Sequence, residues 1–169
     1  MITLIVKKTF LELTDSFVVQ DKSGKQLYNA KSEGNILNKG FFLYDEGNHL
    51  HAHIFKELDK KHLFYHIDVD GDRIATITTN KGFKTKGFTV EPQGMVTQYN
   101  RSKLVVTLMK NDEPVGVIKA KLFRFKKTYV IQFEERSEEL TFILIALTLF
   151  IDERDPAFFG SIFKKMEWG

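Results

Sequence analysis

LTFILIALTLFI, residues Leu140 to Ile151, is a twelve-residue run without a charge, bounded by Glu138 and Glu139 before it and by Asp152 and Glu153 after it. As a helix it extends roughly 18 Å at 1.5 Å per residue, well short of the ~30 Å hydrocarbon core of a bilayer. The run therefore reads as a helix buried inside protein. It is apolar on every side, so it has to be surrounded. A β-strand is the competing reading, because Ile, Phe and Thr favour strands. Leu140, Leu144, Ala146, Leu147 and Leu149 tip the balance to helix. Ser137 suits the N-cap, and Glu138 and Glu139 suit a first turn facing the positive end of the helix dipole.

The rest of the chain has a different texture. Glycines fall at positions 24, 47, 71, 94 and 116, at spacings of 23, 24, 23 and 22. Each follows an alternating apolar stretch and a polar turn, as in Phe41-Phe42-Leu43-Tyr44-Asp45 leading to Gly47. Alternation resumes after the turn, as in Ile74-Ala75-Thr76-Ile77-Thr78. This pattern predicts one β-hairpin at each glycine, with Asp and Asn supplying the remaining turn conformations. Leucine-rich repeats share the period but need regularly placed leucines and an Asn, and propeller blades need about 40–45 residues. A closed meander of hairpins, which leaves no sheet edge, fits instead.

Extrapolating the period from Gly116 leads to residue 138, where the pattern stops. Tyr129 to Phe133 reads as a strand, but the helix takes the place of the strand expected after it. With one N-terminal strand over Ile2 to Lys7 and five hairpins, the expected total is about twelve strands. Eight strands already just fill a barrel with their own side chains, so about twelve leave an interior that needs filling. The expected fold is thus mainly β: a roughly twelve-stranded antiparallel barrel enclosing a central hydrophobic helix over 140–151. The barrel with its helix takes residues 1–155. A short amphipathic tail takes 156–169, with Asp155 as cap, Pro156 at the first helical position, and Phe158, Phe159, Ile162, Phe163 and Met166 at helical spacing.

Three motifs carry a resemblance. They are Ile5-Val6-Lys7-Lys8-x-Phe10, Phe17-x-Val19-x-Asp21-x-x-Gly24-x-x-x-Tyr28, and Ile145-Ala146-Leu147-x-x-x-Ile151-Asp152. Together they resemble the tubby C-terminal-like superfamily, which includes the LURP-one-related proteins and the phospholipid scramblases, and the likeness covers roughly residues 2–155. It implies a twelve-stranded barrel around a central helix. Within that superfamily tubby proteins bind phosphoinositides through basic residues and have been considered transcription regulators, and scramblases act at membranes. The motifs are architectural and include no catalytic residues, and the scramblase cysteines are missing here.

Composition narrows the function classes. The chain of 169 residues has no cysteine, which excludes disulfides, thiolate metal sites and a cysteine nucleophile and suits a reducing compartment. The start, MITLIVKKTF, places its apolar residues before its lysines, the reverse of a secretory signal. The expected location is cytoplasmic, peripheral to a membrane at most, with no transmembrane segment. No nucleophile elbow, phosphate-binding glycine loop or zincin motif is present, so the expectation is a binding module rather than an enzyme, with no cofactor.

Charge gives the best functional hint. The net charge is +3, yet Lys81 to Lys127 holds eleven Lys or Arg against Glu91, Asp112 and Glu113. Within it, Lys119, Lys121, Arg124, Lys126 and Lys127 form a candidate site for lipid or nucleic-acid phosphates. The tail residues Phe158, Phe159, Ile162, Phe163 and Trp168 are candidates for contact with a membrane, a protein partner or a second copy. An anionic phospholipid surface is the leading partner, self-association or a protein partner the second, and nucleic acid the third. His49-x-His51-x-His53 places neighbouring rings about 6.7 Å apart on one strand face, which makes His49 and His51 weak metal candidates. Asp68-Val69-Asp70-Gly71-Asp72 has its glycine in the wrong place for a calcium loop and reads as a hairpin turn.

Overall fold

The computed structural model describes residues 1–9, 16–33, 40–80, 87–100, 102–123 and 126–154. Twelve strands precede one helix: β1 (Ile2–Thr9), β2 (Ser16–Asp21), β3 (Gln26–Glu33), β4 (Gly40–Asp45), β5 (Leu50–Leu58), β6 (His62–Val69), β7 (Asp72–Asn80), β8 (Thr89–Glu91), β9 (Met95–Asn100), β10 (Val105–Lys110), β11 (Glu113–Phe123), β12 (Lys126–Phe133) and α1 (Glu138–Arg154). Each strand pairs antiparallel with its sequence neighbours. β1 pairs with β12, from Ile2 opposite Phe133 to Lys7 opposite Thr128, and so closes the barrel.

An up-and-down barrel sends alternate connections to opposite ends. The turns after β2, β4, β6, β8 and β10 all lie at one rim, where α1 also begins; we call this the entry rim. The connections after β5, β9 and β11 lie at the other, where α1 ends; this is the exit rim. The 23-residue period is therefore one full passage down and up the barrel wall. At the β6–β7 turn Asp70 and Gly71 have φ of 51° and 87°, the paired left-handed conformations of a two-residue hairpin turn. Bulges beside the turns after β2, β4, β6 and β10 add local twist as the strands reach the entry rim.

Gly116 departs from the expectation. Its hairpin turns on Asn111 and Asp112, at φ of 51° and 63°, and Gly116 itself lies within β11. A Cβ there would come within 2.9 Å of Leu144 Cδ2, so this glycine makes room for the helix. The last member of the glycine series thus serves packing rather than a turn.

The helix runs along the barrel interior. Ser137 caps it: the Leu140 N–H donates to Ser137 Oγ at 3.1 Å, and the Thr141 N–H donates to the Ser137 carbonyl at 3.0 Å. Leu140 and every residue from Phe142 to Asp152 are buried. Around the helix the strands turn one residue in two inward, among them Val6, Val19, Leu43, Ile54, Ile67 and Ile118. Phe142 packs edge-on against Tyr28 at 5.7 Å, and Phe150 lies 3.9 Å from Tyr65 and 4.7 Å from Phe88, centroid to centroid. The buried Thr148 hydroxyl donates to the Leu144 carbonyl one turn earlier, so it carries no unmet donor into the core.

The helix is longer than its apolar run. It includes Asp152, which the sequence marks as a boundary. A buried carboxylate needs partners, and three are present: the Tyr129 hydroxyl donates to Asp152 Oδ1 at 3.0 Å, Lys127 Nζ lies 3.4 Å from the same oxygen, and Lys8 Nζ lies 3.6 Å from Oδ2.

Candidate anion-binding surface

β11 and β12 position the basic group. Ile118 points inward, so Lys119 and Lys121 stand on the outer side of β11, both exposed. Lys119 Nζ donates to Gln132 Oε1 on β12 at 3.0 Å, which holds it against the wall. Lys127 is half-buried, and its charge faces Asp152. Lys126 is the first residue of β12, where it pairs with Phe123. The Lys126 side chain, Arg124 and the tail residues Phe158, Phe159, Ile162, Phe163 and Trp168 lie outside the described residues. The exposed members thus share one convex face near the exit rim, and Lys127 belongs equally to the helix anchor. Lysines on such a face act on phosphate groups as flexible point charges.

The Asp152 anchor was not singled out from the sequence, yet its signals were there. Lys8 belongs to the first of the three motifs and Asp152 to the third, and they meet at the exit rim. Tyr28, which ends the second motif, packs against Phe142 in the first turns of α1. The three motifs mark the places where the wall holds the helix.

The histidines are absorbed by local structure. His51, at the bulge where β5 leaves the entry rim, turns toward the helix: its ring lies 6.2 Å from Phe142 and 5.9 Å from Tyr28, with Nε2 3.3 Å from Asp45 Oδ2 and Nδ1 3.8 Å from Glu138 Oε1. It links the β4–β5 turn to the first turn of α1. The His49 N–H donates to Asp45 Oδ1 at 2.8 Å, and this backbone bond is the main cause that lowers the Asp45 pKa. Burial, with the charges of Glu138 and Asp45, pushes the Tyr28 phenol up. His53 stacks on Phe42 at 4.2 Å and on Phe55 at 4.9 Å, and its burial lowers its pKa. His66 lies 2.7 Å from Glu57 Oε2 and 3.0 Å from Thr76 Oγ1. Among the described residues no three His, Asp or Glu side chains form a group able to hold a metal ion.

A closed antiparallel barrel of twelve strands, threaded by an apolar helix that the N-terminal and C-terminal motifs pin in place, defines a tubby-like protein. Within that class the chain belongs to the LURP-one-related family, whose family model matches residues 2–152. No curated protein and no solved structure matched the chain. Among the described residues no helix is long and apolar enough to cross a membrane.

Proposed function

We propose that the chain is a non-enzymatic binding module that recognises anionic phospholipid headgroups at a membrane surface, from the cytoplasmic side. The observation that carries this reading is the outward, exposed placement of Lys119 and Lys121 on β11, next to the lysines that open β12, on a barrel whose interior is occupied by α1. With the inside filled, recognition falls to the outer surface. A tubby-like barrel of the LURP-one-related family supports the same reading, because tubby-like relatives act at membranes and on phosphoinositides. The tail, with Phe158, Phe159, Ile162, Phe163 and Trp168, has the composition of an interfacial anchor.

Co-sedimentation with vesicles tests it. Vesicles of phosphatidylcholine with a third phosphatidylserine should bind the protein at 50 mM salt and release it at 500 mM, and pure phosphatidylcholine should not bind it. The triple variant Lys121→Glu/Arg124→Glu/Lys126→Glu should lose at least tenfold in partitioning, since each surface cation near an anionic leaflet contributes about 1 kcal/mol, while its unfolding midpoint stays put. Failure of the wild-type protein to bind anionic vesicles at low salt would remove this function.

A further inference from the structure

We propose that the barrel docks end-on, with the exit rim, including the Lys121 end of β11, facing the anionic bilayer. This rests on the membrane-binding reading above and adds an orientation and a wider set of contact residues.

Among the described residues the two rims carry opposite charge. At the entry rim the turns bring Asp70 with Asp72 and Asp112 with Glu113, and the loop into α1 adds Glu134 with Glu135. Lys22, Lys25, Lys110, Arg73 and Arg136 at that rim offset only part of this. At the exit rim the β5–β6 turn exposes Lys60 and Lys61, the β9–β10 turn exposes Lys103, and Lys121 stands near the end of β11. Several exit-rim acids are already engaged. Asp59 accepts the backbone N–H groups of Lys61 and His62 in its own turn, Glu57 faces His66, and Asp152 is buried against Lys8 and Lys127. Glu33, Glu57 and Asp59 are exposed acids at this rim, against exposed Lys60, Lys61, Lys103 and Lys121.

The helix dipole runs opposite to this separation, with its positive end at the acidic rim and its negative end at the basic one. Its influence fades within the first and last turns, so it does not account for lysines on outer turns such as Lys60 and Lys61.

The positions of these lysines favour a flat partner. The β5–β6 turn and the β11–β12 hairpin are six strands apart in a ring of twelve, on opposite sides of the rim. Twelve strands spaced ~4.8 Å apart and tilted ~40° close into a ring roughly 24 Å across. Lysines spread around such a ring meet a plane together, whereas a nucleic-acid groove binder concentrates them in one stripe. The acidic rim lies about 20 Å away, the height of an eight-residue strand such as β6 at that tilt. That exceeds the ~8 Å Debye length at physiological ionic strength, so the acids orient the approaching molecule without cancelling the contact.

The test compares two variants of equal net charge in the full chain, on the same phosphatidylserine vesicles. Lys60→Gln/Lys61→Gln/Lys103→Gln removes three exit-rim charges, and Lys22→Gln/Lys25→Gln/Lys110→Gln removes three at the entry rim. At about fivefold per lysine, the first should lose roughly 100-fold in partitioning and the second less than threefold. All six positions are exposed turn or strand-end residues, and matching unfolding midpoints confirm that both variants fold. Equal losses would mean that net charge alone matters and would overturn the end-on orientation. Wild-type-like binding by the exit-rim variant would overturn it as well while leaving the β11–β12 reading standing. A wild-type protein that binds duplex DNA but no vesicle would overturn both.

Discussion

At the residue scale, Asp152 is the position where one side chain holds two parts of the fold together. A carboxylate near a helix C-terminus opposes the dipole, and burial adds a desolvation cost. Lys8, Lys127 and the Tyr129 hydroxyl offset both. Asp152→Ala should cost about 2 kcal/mol in urea unfolding, less than a fully buried pair because both lysines can turn to water. Asp152→Asn, which keeps an acceptor for Tyr129, should cost less than half of that. A loss below about 0.5 kcal/mol for the alanine variant would show that the anchor is dispensable. His53 gives a prediction of different sign. Its folded pKa lies below the ordinary 6.5 because of burial, against the pull of Asp68 and Glu33. The unfolded chain therefore takes up the proton first, so this contribution is complete above about pH 6.5 and is lost as pH falls below it. His53→Gln should flatten the slope of stability against pH in that acid window relative to wild type. An unchanged slope would mean that the stacking of His53 between Phe42 and Phe55 does not shift its titration.

At the element scale, the sequence was legible wherever a local rule and the fold agreed. The uncharged run favoured an enclosed helix over a strand, and the glycine period counted the strands, because turn chemistry and side-chain alternation are both short-range signals. Where two rules overlapped, reading by type alone failed. Gly116 kept the period, but the left-handed conformations went to Asn111 and Asp112, and the missing Cβ was needed for Leu144. The helix end was misplaced for a related reason. A charge normally marks a boundary, and only the partners from β1 and β12 make Asp152 an interior residue. The histidine row looked like ligand spacing because alternation puts its members on one face. The groups that occupy those histidines are Asp45 and Phe42 from β4, Glu138 from the helix and Phe55 from β5 itself.

At the scale of the whole molecule, the candidate site was half visible in advance. The excess of cations between Lys81 and Lys127 stands out in the sequence, but the structure sorts charge along the barrel axis instead of along the chain, because successive connections alternate between rims. Lys60 and Lys61 join the basic rim from a stretch with no such excess. The same topology ties folding to the end of the chain. Closure pairs Ile2 with Phe133, so the barrel cannot shut until nearly all of it is present. Even then, the inward faces of the strands would surround a space that twelve strands cannot fill with their own side chains. The buried run from Phe142 to Ile151 fills it. A chain ending at Ser137 has all twelve strands and no helix, and it should fail to form the native barrel. The expected signs are binding of a hydrophobic dye, collapsed amide dispersion in NMR and no cooperative thermal transition, all of which the full chain should reverse. A truncated chain that melts cooperatively with native dispersion would show that the wall is stable around an empty axis, and the helix would then be a passenger in the barrel and not its core.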